Sequence, residues 1–353
     1  MDELIELLRL LVEHESPTGS TATLRDVLVR LLRDAGAEAT TDGDHIVASI
    51  GTGPDHVLLL GHFDTVWPIG RLAEAPFTVV GDEATGPGVF DMKGGLVALL
   101  LALNRLRGKA LPRPVRIVLT ADEEIGSPDG ARVVDAQATG AVAVYALEPP
   151  LANGTLKVGR RGVARIRLTV RGREAHAGLD ATKGVSAIDE LVDQVAALRR
   201  SNVNVGTIAG GTRANVVAGH ATAELGLRFA TPEEEAAIFA RIDALTPIRD
   251  GATIEVETLS RRPAWEPSAS AELAGHVRAA AQQLGETIGA AISPGAGDAN
   301  LTGARGIPTV DGLGPRGHGA HAPDETVELP SIKARGELLA HLLTHEIVQP
   351  SAV

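Results

Sequence analysis

Three short runs with almost no polar residue constrain this chain most: Val57-Leu58-Leu59-Leu60, Ile117-Val118-Leu119-Thr120, and Ala141 to Leu147. Strands apolar on both faces belong inside a sheet that is covered on both sides. Each run then stops on groups that hold protons or cations. Gly61-His62-Phe63-Asp64-Thr65 follows the first, Ala121-Asp122-Glu123-Glu124 the second, and Glu148 the third. Open α/β sheets build their sites just past the carboxyl ends of their strands. A fourth stretch, Gly88-Val89-Phe90-Asp91-Met92-Lys93-Gly94-Gly95, leads from the turn Gly86-Pro87-Gly88 into an apolar helix over 96–106. It holds Asp91 at the mouth of that helix. The pattern points to a carboxylate-bridged metal centre.

Between these landmarks the chain alternates strands and helices. Leu4, Ile5, Leu7, Leu8, Leu11 and Val12 fall near helical spacing, as do Leu24, Val27, Leu28, Leu31 and Leu32, with Gly36 placed as a cap. Ile46–Ile50 and Val57–Leu60 read as two strands across the turn Gly51 to Asp55. Near residue 159 the texture changes. Ile166, Leu168 and Val170 alternate with Arg165, Arg167, Thr169 and Arg171, the mark of a sheet with one wet face. A helix follows with Val185, Ile188, Leu191, Val192, Val195 and Leu198 on one side. Then come strands near 202–208 and 219–229, a helix opening at Pro232 and a strand near 252–259. This β-α-β-β-α-β order is the ferredoxin-like unit, read here as a domain inserted over 159–262. After Pro263 the first texture returns, with a glycine-rich loop at Gly295, Gly297 and Asp298 and the run Gly312 to His321.

A length of 353 residues fits two domains. The net charge of −12 argues against nucleic acid as a partner. There is no cysteine, so a metal would be held by His and carboxylate. The N-terminus opens on acid rather than on the basic region of a signal peptide. No apolar run approaches the ~20 residues that span a bilayer. The expectation is a cytoplasmic protein with no membrane contact.

Two divalent ions about 3.5–4 Å apart need a bridging carboxylate with terminal ligands on either side. Asp91 is the natural bridge; His62 and Glu148 could complete one ion, Glu124 and His321 the other. Such a donor set suits Zn2+, and is compatible with Mn2+ or Co2+. Asp64, two residues from His62, is placed to orient its imidazole. Glu123 neighbours a ligand and is free to serve as general base.

These motifs carry a family resemblance. His62-Phe63-Asp64-Thr65-Val66, Asp91-Met92-Lys93-Gly94-Gly95, Asp122 to Ser127, Gly159-Arg160-Arg161-Gly162, Ala175-His176-Ala177-Gly178, Asn215-Val216-Val217, Gly297-Asp298 and Gly317 to His321 together resemble the M20 metallopeptidases. The likeness is strongest to the glutamate carboxypeptidase branch, and extends to acetylornithine and succinyl-diaminopimelate deacylases. The resemblance implies an α/β fold: a mixed-sheet zinc-hydrolase catalytic domain, 1–158 with 263–353, carrying an inserted ferredoxin-like α+β lid and dimerisation domain, 159–262. It implies two Zn2+ per chain held by His62, Asp91, Glu124, Glu148 and His321, with Asp64 supporting and Glu123 as the base. It implies a homodimer in which His176 reaches the partner's site. Glutamate at 148, where aminopeptidase and dipeptidase members have aspartate, favours a carboxypeptidase or deacylase. Arg262 matches the position that holds a substrate's free α-carboxylate, and Asn215 and Arg228 match pocket positions. Ala218 stands where a proline is usual. The implied substrate is a small peptide or an N-acyl amino acid with a free carboxylate; the nearest alternative is an N-acyl amino-acid deacylase with the same machinery. A metal-free binding or scaffold protein is the alternative outside that class, and five converging ligands with a base argue against it.

Overall fold

The structure, a computed structural model, describes residues 1–199 and 202–346. The chain divides into two compact units, Met1–Arg160 with Glu266–Val353, and Arg161–Trp265. Among the described residues no helix is long and apolar enough to cross a membrane.

The first unit is built on a six-stranded mixed sheet in the order Glu38–Asp42, His45–Ile50, Val115–Thr120, His56–His62, Ala141–Ala146, Thr309–Val310. His56–His62 is buried at every position and takes a central place, parallel to both of its neighbours. The two strands expected to pair across Gly51–Asp55 do not. Val115–Thr120 lies between them, antiparallel to His45–Ile50 and parallel to His56–His62. The reason is burial: a strand apolar on both faces gains most with a neighbour on each side. His45–Ile50 instead forms an edge hairpin with the more polar Glu38–Asp42, which turns at Gly43 with φ of 61°.

Helices cover the sheet. Ala22–Asp34 ends in a Schellman motif: Gly36 adopts φ of 96°, and Ala37 N–H reaches back to Leu32 C=O at 3.0 Å. The helix Gly94–Leu106 is buried almost all round and packs on Leu329–Thr344. A Cβ at Gly336 would stand 3.1 Å from Ala98 O, so glycine there permits the close crossing. With aromatics at 2%, the core is a continuous mass of Leu, Val, Ile and Ala side chains. Two smaller pairings, too short to show periodicity, went unread in the sequence. One is a parallel pair, Leu156–Arg160 with Ala290–Ser293. The other is a four-stranded antiparallel sheet of Gly317–His318, Thr326–Glu328, Glu83–Thr85 and Thr78–Val80.

The second unit is an antiparallel sheet in the order Val203–Gly210, His220–Phe229, Gly162–Arg171, Thr253–Arg262. Numbered along the chain this is 2-3-1-4, the ferredoxin-like arrangement. One face, with Ile166, Leu168, Val170, Ala223, Leu225 and Leu227, forms a core with the helices Ala187–Leu198 and Pro232–Asp243. The other carries cross-strand ion pairs from Arg165 and Arg167 to Glu224 and from Arg167 to Glu257.

The first of those helices departs from the expected phase. It starts at Ala187, after Val185, and leaves Ile188 and Val192 exposed. The inward stripe includes Glu190 and Gln194 instead. Glu190 is fully buried and accepts hydrogen bonds from Gln194, Ile248 N and Arg249 N. Fastening that loop takes the place a reading by apolar spacing would give to Val192.

Candidate metal centre

Seven of the residues singled out in the sequence converge in the first unit. His62 closes the strand His56–His62, and Asp64 follows two residues on. Glu123 and Glu124 open a single 3-10 turn, Glu123–Ile125, directly after Val115–Thr120. Glu148 follows Ala141–Ala146. Asp91 lies in the tight turn Val89–Lys93, whose Asp91–Met92 peptide is cis, ahead of the helix Gly94–Leu106. His321 comes from the loop between Gly317–His318 and Thr326–Glu328, with φ of 63°. A non-glycine residue with positive φ marks a backbone held against its preference.

Asp91 sits in the middle. One carboxylate oxygen is 3.2 Å from His62 Nε2 and the other is 3.4 Å from His321 Nε2. Glu148 lies 3.4 Å from His62 Nε2, and Glu124 lies 3.1 Å from His321 Nε2. His62 is thus close to both Asp91 and Glu148, and His321 to both Asp91 and Glu124. Donor atoms of His62, Glu123 and Glu148, and again of His62, Asp91 and Glu124, lie within 4.8 Å of one another.

The electrostatics follow from burial and proximity. Burial pulls the His62 imidazole down, but hydrogen bonds with Asp64, Asp91 and Glu148 outweigh it and hold it well above its ordinary value. Hydrogen bonds with Asp91 and then Glu124 push His321 up to about 10. Burial raises the Asp91 carboxyl, yet the two imidazoles overcome this and hold it below the usual range. Burial raises Glu124, against an opposing hydrogen bond from His321. Carboxylates this close repel one another unless cations lie between them.

The donor set fits a divalent metal. It is made of imidazole nitrogens and carboxylate oxygens alone, matching Zn2+, Mn2+ or Co2+. Buried Glu124 Oε1 has no hydrogen-bond partner among the described residues, which an ion would supply.

Surrounding groups hold the cluster from behind. The Asp64 carboxylate is fully buried and accepts hydrogen bonds from Thr18 Oγ1 at 2.7 Å and from Glu123 N and Glu124 N at 3.2 Å. Its main-chain oxygen is 3.0 Å from His62 Nδ1, nearer than its carboxylate at 3.3 Å. The sequence reading gave Asp64 to the imidazole alone; it also ties the Glu123-Glu124 turn to the end of the neighbouring strand. Asp298, noted in the sequence without a role, accepts hydrogen bonds from Ser127 Oγ and from Thr120 Oγ1, bracing that turn at both ends. Thr18 was missed, and Ser127 was noted only as the end of the motif over 122–127, without a role. Each is a small hydroxyl residue in a loop, and nothing local distinguishes it from many others.

The remaining four candidates lie in the second unit. His176 is exposed, and its Nδ1 accepts hydrogen bonds from Gly178 N and Leu179 N, both at 3.1 Å. Neutral His176 therefore carries its proton on Nε2. Arg228 and Arg262 pair with Val163 from opposite sides and so share one row of the sheet; Arg228 is exposed, and Arg262 is buried at 7%. Asn215 is exposed, and its carbonyl accepts from Ala177 N at 2.9 Å.

Histidines and carboxylates gathered at the carboxyl ends of parallel strands in a mixed α/β unit define a class, the metal-dependent hydrolases. Within that class the chain belongs to Peptidase family M20/M25/M40, whose model matches residues 58–345. It is 30% identical to carboxypeptidase G2 of Pseudomonas sp. (strain RS-16), over 96% of this chain and 88% of that protein. It is 27% identical to succinyl-diaminopimelate desuccinylase of Acidiphilium cryptum (strain JF-5), over 96% of this chain and 97% of that one. Its fold is that of Sso-CP2 from Sulfolobus solfataricus, described as an M20 family metallo-carboxypeptidase, with a TM-score of 0.77 at 15% identity over 98% and 99% of the two chains. The protein is a hydrolase of this family of peptidases and deacylases.

Proposed function

We propose that the protein is a dinuclear zinc hydrolase of glutamate carboxypeptidase type, cleaving the amide bond of a small peptide or N-acyl amino acid that bears a free carboxylate. The observation that carries this reading is the division of the Asp91 carboxylate, one oxygen toward His62 and the other toward His321. His62, Glu148 and Asp91 would hold one ion; Glu124, His321 and Asp91 the other. When bound, such a pair supplies Lewis acidity to the scissile carbonyl and lowers the pKa of the attacking water. Glu123 takes the proton from that water and returns it to the leaving amine. Asp64, through the amides of Glu123 and Glu124, keeps base and ligand in register. Arg262 offers a planar fork for the substrate's carboxylate, with Asn215 and Arg228 as further pocket residues. The inserted unit serves as lid and dimer contact. His176 there offers an outward Nε2–H to the developing oxyanion in the partner subunit's site.

The likeness to succinyl-diaminopimelate desuccinylase supports a second reading, an N-acyl amino-acid deacylase with the same machinery. One experiment tests both. Purified protein is assayed for metal, then screened against dipeptides and N-acyl amino acids, each as free acid and as amide, with Zn2+, Mn2+ or Co2+ added back. About two ions per chain and turnover of free acids over amides are expected. A chain that takes up no metal would refute the proposal. Preference for acetyl or succinyl amino acids over dipeptides selects the second reading.

A further inference from the structure

The segment after His321 returns to the Asp91 turn from the other side. Thr326–Glu328 runs antiparallel to Glu83–Thr85, with Thr326 opposite Thr85 and Glu328 opposite Glu83. That register sets the residue before one strand against the residue after the other. Glu325 therefore meets the chain as it enters Gly86–Asp91.

Glu325 is 3% exposed. Its Oε1 accepts hydrogen bonds from Phe90 N and Asp91 N, each at 3.0 Å. Its Oε2 accepts from Gly88 N at 2.8 Å and from the Trp67 indole Nε1 at 2.7 Å. A carboxylate offers about four acceptor positions, and here four N–H donors meet them. Burial raises the Glu325 carboxyl above its ordinary range, and these four hydrogen bonds oppose that shift by replacing the water the charged form loses. Three of the four donors belong to the turn that carries Asp91. The same loop thus grips Asp91 twice, with His321 at its carboxylate and Glu325 at its amide.

We propose that Glu325 is a positioning residue for Asp91, holding the Gly88–Asp91 backbone so that the two oxygens of Asp91 face His62 and His321. The inference rests on the reading of the cluster as a two-ion centre. Asp91 is shared by both ions on that reading, so loosening it weakens both together, whereas loss of a terminal ligand weakens one.

Glu325→Gln tests this. It keeps the size and one acceptor oxygen, but sets an amide NH2 against a pair of donors. In metal-free protein, with the melting temperature reporting that the fold is kept, amide exchange at Gly88, Phe90 and Asp91 should be faster than in wild type. Calorimetric titration with Zn2+ should show both ions held about 10–100-fold more weakly. The kcat should fall with KM unchanged, and excess Zn2+ should recover part of it. Glu325→Asp, which keeps the carboxylate, should fall between, and carries the same criteria if the glutamine variant does not fold. Wild-type Zn2+ affinity in the folded variants would overturn the proposal, as would a loss confined to one ion or a rise in KM at constant kcat. Wild-type protein that binds no Zn2+ would instead refute the two-ion reading. In that event exchange at the three amides still judges the clamp: faster exchange supports it, and unchanged exchange overturns it.

Discussion

Glu123 and Glu124 are neighbours in different surroundings. Glu124 faces His321 at 3.1 Å, while Glu123 lies among His62 and Glu148. Glu123→Gln should therefore lower kcat by about 10²–10⁴-fold, the usual contribution of a positioned base, while metal content by elemental analysis stays at the wild-type level. Asp91→Ala should deplete both ions; if the two variants exchange these phenotypes, the roles are reversed. Arg262→Ala should weaken kcat/KM for free-acid substrates by roughly 1.5–3 kcal/mol, typical of a charge-assisted hydrogen bond. Their amides should change little. Equal losses on both would make Arg262 a structural residue of its strand. The seven residues of the cluster were legible in the sequence because each follows a strand or turn with a strong local signature. Glu325 was not. Its meaning lies in three backbone amides more than two hundred residues away, and backbone donors have no letter in a sequence.

The sheet strands themselves were legible because burial on both faces leaves an unmistakable apolar run, as in Val57–Leu60. Their order was not, because two strands adjacent in sequence and apolar in content do not declare that a third will lie between them. The same strand has a second property hidden from pattern. His56, at its start, is fully buried, and its Nε2 donates to Gln137 O at 2.9 Å. Burial lowers its pKa from the ordinary imidazole value. The folded state then binds fewer protons than the unfolded state, whose imidazole titrates near ~6.5. Stability from this group is complete above about pH 6.5 and is lost as pH falls below it. His56→Gln, which retains a donor for Gln137, should show a smaller drop in melting temperature between pH 7.5 and 5.5 than wild type. Parallel drops would place the acid sensitivity elsewhere.

At the scale of the molecule, the chain leaves one unit at Arg160 and returns to it at Glu266. If His176 serves the partner's site, two inactive variants should complement each other. Glu123→Ala and His176→Ala chains mixed to form heterodimers would contain one site with both groups intact and one with neither. About half of wild-type activity per heterodimer is expected for independent sites; verified heterodimers that stay inactive would exclude action across the interface. The ladder of Glu83–Thr85 with Thr326–Glu328 also orders events in time. His62 and Asp91 are synthesised first, and His321 and Glu325 more than two hundred residues later. At about 5–20 residues per second, residue 325 follows residue 91 by on the order of ten to fifty seconds. Throughout that interval the nascent chain holds half of the cluster, with Asp91 ungripped and the second imidazole not yet made. On the proposed two-ion reading, hydrolytic power is thus withheld from the growing polypeptide until Thr326–Glu328 zips back onto Glu83–Thr85.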